Sequence, residues 1–117
     1  MIYALNLFNV VPGAEHDYRE YAREASRIIH DVGGRLVCAG CPPVRHVATD
    51  GTQRDRLVIV AFPDLDAFEV FVSRAERREL HPLRLASTRD YIWTLFEPWD
   101  LQAWMSFAVA PRWPGQT

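Results

Sequence analysis

Residues 2–10 are apolar almost throughout, with Tyr3, Asn6 and Asn9 as the exceptions, and so short an unbroken run predicts a buried strand. Pro12 and Gly13 end it, and the period then changes. Tyr18, Tyr21, Ala22, Ala25, Ile28, Ile29 and Val32 recur at steps of three and four, the stripe of an amphipathic helix. Glu15, Arg19, Glu20, Arg23, Glu24 and Arg27 occupy the opposite side, and Gly33 with Gly34 supplies the stop. Residues 35–47 predict a second strand, made irregular by Gly40, Cys41, Pro42 and Pro43; a proline cannot donate to a ladder, so a bulge or a sheet edge is expected there. After a polar turn at 49–54, residues 57–62 read as a continuous apolar strand. Asp64 or Asp66 can then cap a helix whose stripe is Leu65, Phe68, Phe71, Val72 and Ala75. Pro82 breaks the pattern, and residues 91–96 form the last strand.

Strand, helix, strand, strand, helix, strand within about 100 residues points to an α+β fold. It is the ferredoxin-like β-α-β-β-α-β arrangement, in which one antiparallel sheet carries both helices on one face. Both faces of these strands are apolar. Ile2, Ala4 and Phe8 alternate with Tyr3, Leu5 and Leu7; Leu57, Ile59 and Ala61 alternate with Val58, Val60 and Phe62. Two helices can cover only one face, so the other is expected to be buried against an identical sheet, making a homodimer through the sheet face.

Length and charge narrow the picture further. A chain of 117 residues, 49% hydrophobic and 24% charged, has the size of a single domain, here residues 1–98, followed by a tail at 99–117. The tail carries Trp99, Trp104, Phe107 and Trp113, so it is expected to dock on its own domain or on the partner subunit. A net charge of -2 argues against a nucleic-acid partner, which would call for a basic patch. All 13 cationic side chains are arginine, which excludes lysine Schiff-base chemistry and a P-loop lysine. No apolar run approaches the roughly 18 residues of a membrane span, and no secretory signal opens the chain, so a cytoplasmic protein without membrane contact is expected.

Phe62-Pro63 leading into a capped helix, the segment Leu80-His81-Pro82-Leu83-Arg84, Tyr91-Ile92-Trp93 and the Gly33-Gly34-Arg35 turn together resemble the dimeric α/β-barrel superfamily. The nearest likeness is to a branch of uncharacterised bacterial single-domain proteins. The resemblance spans about residues 1–98 and implies the fold and a dimer. Members of known activity are cofactor-free monooxygenases, lactone isomerases, polyketide cyclases and haem enzymes. The small cyclases carry a His-Pro-x-His segment before the last strand, one histidine of which is an acid-base. Here the first histidine is His81, while Arg84 stands at the second position and cannot act as a base at neutral pH.

His81 and Arg84 are the candidate catalytic pair. His81 precedes Pro82, which suits the first position of a short helix, and an imidazole at a helix start is favoured in its neutral, proton-accepting form. The other reading is a histidine that pins the loop through a backbone carbonyl. Arg84, three residues on, can stabilise a carboxylate, phenolate or enolate oxygen, or else pair with Glu76, Glu79 or Asp90. Tyr3, Asn6, Tyr91 and Trp93 are polar groups embedded in apolar strands and are the candidates for substrate binding. Each must find a hydrogen bond in the core or face a cavity, and Tyr3 and Asn6 point to opposite faces by period. Cys38-x-x-Cys41 with His46 lacks the further ligands of a zinc site, so the cysteines are expected to be small buried hydrophobes; His16 and His30 are expected to face solvent. Motifs for serine hydrolases, dinucleotides, nucleotide triphosphates and zincins are missing, and neither a cofactor nor a metal is expected. The expected function is cofactor-free acid-base chemistry (cyclisation, isomerisation or monooxygenation) on an aromatic or polyketide-like substrate. The alternative is a non-catalytic small-molecule-binding or accessory protein of the same fold.

Overall fold

The computed structural model describes residues 1–106. Its elements run β1 (Ile2–Val10), α1 (Glu15–Asp31), β2 (Arg35–Gly40), β3 (Arg56–Phe62), α2 (Leu65–Arg77), α3 (Leu80–Ser87), β4 (Thr88–Phe96) and α4 (Leu101–Met105). The four strands form one antiparallel sheet in the order β2-β3-β1-β4, the ferredoxin-like arrangement. β2 stops at Gly40 rather than reaching residue 47. It is both an edge strand and bulged, between Leu36 and Cys38, which is the accommodation that the following prolines call for. The short helix expected to start at Pro82 starts at Leu80; a proline in the first helical turn gives up only an N–H that has no intrahelical partner.

Local chemistry sets the element ends. At the end of α1, Gly33 takes φ 85 and donates to the His30 carbonyl, and Gly34 donates to the Ile29 carbonyl, the paired bonds of a Schellman stop. A Cβ on Gly34 would come within 2.8 Å of the Ile29 methyl and 3.2 Å of the Ala61 carbonyl, so only glycine lets α1 turn directly into the sheet. Asp64 caps α2 by accepting from the Ala67 amide at 2.8 Å. The far end of α2 is tied to α1 by Arg74 to Asp31 and Arg78 to Glu24, exposed ion pairs that contribute little energy but hold two helices side by side.

Both helices lie on the sheet face formed by Ala4, Asn6 and Phe8 of β1, Val58, Val60 and Phe62 of β3, and Tyr91, Trp93 and Leu95 of β4. The core gathers there: Ala4, Ala25, Ile28, Val60, Phe62, Phe71 and Leu80 are all buried. The opposite face carries Leu5, Leu7, Ile59, Ile92 and Phe96, each with some surface left exposed and Phe96 half so, at 50%. Trp99 and Trp104, in the tail, pack edge to face with centroids 5.3 Å apart and are exposed in the single chain. Phe107 and Trp113 lie outside the described residues. Among the described residues no helix is long and apolar enough to cross a membrane.

Candidate functional site

Beneath α1 the helix and the sheet do not close on one another. Ala22 and Ala25 on the helix face Ala4, Val58 and Val60 on the strands, and side chains this small leave a cavity of about 380 Å³. That volume is at the lower end of the roughly 300–1,000 Å³ usual for small-molecule sites. Its wall is apolar except for Asn6, Tyr18, Tyr21, Ser26, Tyr91 and the indole of Trp93, with exposed His30 and Arg35 at its border. No carboxylate lines it among the described residues.

Two strands meet across β1 to build the polar floor. Asn6 is paired with Trp93 on β4 and with Val58 on β3, and Tyr91 lies two residues before Trp93 on the same face. The Tyr91 hydroxyl donates to Asn6 Oδ1 at 2.6 Å, and Asn6 Nδ2 donates to the Val58 and Ala4 carbonyls at 3.3 and 3.4 Å. Asn6 is thereby satisfied at both ends although it is 8% exposed, which offsets the cost of burying an amide. Phe8 stacks on the Tyr91 ring at 4.7 Å and fixes its plane. Burial pushes the Tyr18 phenol up to about 12 and raises Tyr21 and Tyr91 as well, with neighbouring phenols adding to the rise at Tyr18 and Tyr91. All three therefore stay protonated in the neutral range and act as donors. Trp93 Nε1 is buried with no partner among the described residues.

Behind this floor stands Arg84, 8% exposed on α3. Its guanidinium carbon lies 4.8 Å from the Tyr91 ring centroid and 5.1 Å from that of Trp93, a cation on two aromatic faces. Arg84 Nη2 lies 3.1 Å from His81 Nδ1. A guanidinium has no acceptor, so Nδ1 must carry the lone pair and Nε2 the proton. The expected alternative of an ion pair to Glu76, Glu79 or Asp90 does not form, and among the described residues no carboxylate pairs with Arg84.

The structure thus brings Asn6, Tyr91 and Trp93 together in one wall and sets Arg84 and His81 outside it. Three expectations need correction. Tyr3 lies on the other side of the sheet and does not line the cavity, because successive strand residues alternate faces. His81 is exposed with its Nδ1 engaged by Arg84, so in this conformation it does not face the cavity as a base. Cys38 and Cys41 are exposed rather than buried, since β2 is the sheet edge and Cys41 follows directly on it. Among the described residues no group of three histidine, cysteine or acidic side chains is placed to hold a metal.

A family model described as "Domain of unknown function (DUF1330)" matches residues 3–95, a span that contains the whole cavity floor together with His81 and Arg84. The chain belongs to this family. Its fold is similar to that of a protein of unknown function from Rhodopseudomonas palustris, at 22% identity and a TM-score of 0.72, covering 84% of this chain and 82% of that one. It is also similar to SnoaB, a cofactor-independent oxygenase from Streptomyces nogalater (16% identity, TM-score 0.54, 83% and 91% covered). A third likeness is to a dimeric protein of unknown function and ferredoxin-like fold from Bacteroides fragilis (9%, TM-score 0.53, 82% and 94% covered). At such identities the likeness speaks for the fold alone. No curated protein matches the chain.

Tyr18 and Tyr21 line the cavity but read, in sequence, as part of the helix stripe that makes the core. A signal was available. The stripe alternates hydroxyl-bearing aromatics with alanines, and a core-facing helix that pairs large amphipathic rings with the smallest side chains leaves space beside polar tips.

Proposed function

We propose that this DUF1330 chain is a small-molecule enzyme performing cofactor-free acid-base chemistry on an aromatic or polyketide-like substrate held beneath α1. The observation that carries the reading is the apolar cavity floored by the Tyr91–Asn6 pair, with Tyr18 and Tyr21 in its lining. Cyclisation, isomerisation and cofactor-free oxygenation share a first step: a proton leaves the carbon next to a carbonyl, and charge develops on the oxygen. Phenol hydroxyls in an apolar cavity are suited to receiving that charge. His30 is the imidazole at the cavity border, while His81 acts through Arg84.

The test is enolisation itself. 2-Tetralone incubated with the protein in D2O should incorporate deuterium next to its carbonyl faster than in buffer, and Tyr21→Phe should slow the exchange. The alternative, a non-catalytic binding or accessory protein, is favoured by the absence of a carboxylate base from the lining among the described residues. Exchange at the buffer rate, with the ligand still raising the melting temperature, would decide for it.

The same reading includes a homodimer formed by the sheet face away from the two long helices. Leu5, Leu7, Ile59, Ile92 and half-exposed Phe96 make an apolar surface there, and exposed Trp99 and Trp104 can strap it. Sedimentation should give twice the 13.5 kDa chain mass; a monomer at micromolar concentration would rule the dimer out.

A further inference from the structure

The charge balance around the cavity is one-sided. Its polar wall offers donors, and the one phenol hydrogen bond formed there among the described residues is Tyr91 to Asn6, so the Tyr18 and Tyr21 hydroxyls are left for a ligand. Asn6, the wall's amide, already spends its oxygen and its nitrogen on the protein. Arg84 is a buried cation whose partners are all neutral: two aromatic faces and the lone pair of His81. A buried charge without a counter-charge is costly, and an anion placed nearby relieves that cost. Arg84 lies against the rings of Tyr91 and Trp93, and both of these residues line the cavity.

We infer that the cavity selects anions: a planar, apolar acid whose carboxylate or enolate oxygen accepts from the Tyr18 and Tyr21 hydroxyls, with Arg84 supplying the counter-charge from behind the Trp93 and Tyr91 rings. This rests on the reading of the cavity as the ligand site and adds the ligand's charge to it. Arg84 is here a positioning and electrostatic residue that does not touch the ligand. A cationic ligand is disfavoured on the same grounds. No carboxylate lines the cavity among the described residues, and Arg84 already occupies one face of each of the two rings on which a cation would rest.

The experiment compares two probes of one shape, 2-naphthoate and 2-naphthamide, by calorimetry on the full-length protein at neutral pH. The acid is expected to bind about tenfold or more tightly than the amide, the size of effect that one unscreened charge at this separation exerts. Arg84→Met should bring the two affinities within about threefold, and Tyr21→Phe, which removes only the hydroxyl, should weaken the acid several-fold. Equal affinities in the unaltered protein, no binding of the naphthoate, or a preference unchanged in Arg84→Met would each overturn the inference. If Arg84→Met does not fold, the acid-to-amide ratio of the unaltered protein and its fall in Tyr21→Phe decide. Equal binding with accelerated exchange of 2-tetralone sinks the anion selectivity and leaves the enzyme reading standing; acid-selective binding without exchange does the reverse.

Discussion

The two long helices cover one sheet face with opposite results. Beneath α2, Phe62, Phe68 and Phe71 meet with ring centroids 5.3, 5.6 and 6.3 Å apart, and Trp93 closes the group from β4 at 5.4 Å from Phe68. Beneath α1, Ala22 and Ala25 face Ala4, Val58 and Val60, and about 380 Å³ stays open. The same burial logic produces both halves, and the difference is side-chain volume. The α2 half brings aromatic rings into contact and carries stability, while the α1 half gives up dispersion contacts and gains a place for a ligand; Phe62 and Phe71 stand at the boundary and also line the cavity. Trp93 belongs to both: its ring closes the aromatic cluster and the residue also lines the cavity.

Truncation on the packed side should have the largest effect. Phe71→Ala removes a ring that is 4% exposed and is expected to cost about 3–5 kcal/mol in urea unfolding, since its neighbours cannot collapse into the gap. A loss below about 1 kcal/mol would erase the distinction between the halves. The reverse change on the open side should be mild. Ala22→Leu adds volume where there is room and should shift stability by less than about 1.5 kcal/mol, while abolishing calorimetric binding of 2-naphthoate. A strongly destabilised Ala22→Leu would show that α1 is already packed. The smallest effect is the pH dependence of the open half. Burial raises the folded pKa of Tyr18 from 10.0 to about 12 and raises Tyr21 and Tyr91 too. The folded chain then holds protons that the unfolded chain releases, so this contribution is complete below pH 10 and is lost as pH rises toward 12. Urea midpoints should be flat up to that point and then fall, with a shallower fall in Tyr18→Phe; an unchanged fall in that variant would place the titrating group elsewhere.

Much of this was legible along the chain because it is local. The alternation in residues 2–10, the stripe from Tyr18 to Val32, the glycine stop and the Asp64 cap each depend on neighbours a few residues away, and each element formed where its own residues required. The long reach of the second strand did not survive. Whether residues 41–47 pair with β3 depends on a partner strand rather than on their own apolar content, and β2 ends at Gly40. The site was legible only in part. Asn6, Tyr91 and Trp93 stood out as polar groups in apolar strands and share a wall, whereas Tyr18 and Tyr21 were hidden in a stripe that reads as core.

The sequence by itself determined the element order, the α+β class, the surplus of apolar sheet surface and the restriction of fixed cationic charge to arginine. Those follow from residue type and period, which the chain carries without reference to its fold. Only the tertiary structure decided that Asn6 sits opposite Trp93, that Tyr3 falls on the far face, that Arg84 lies on two aromatic rings without a carboxylate, and that His81 turns its Nδ1 to Arg84. Strand register and the docking of α3 against the sheet set these distances, and the register alone joins residues as far apart in the chain as Tyr3 and Phe96.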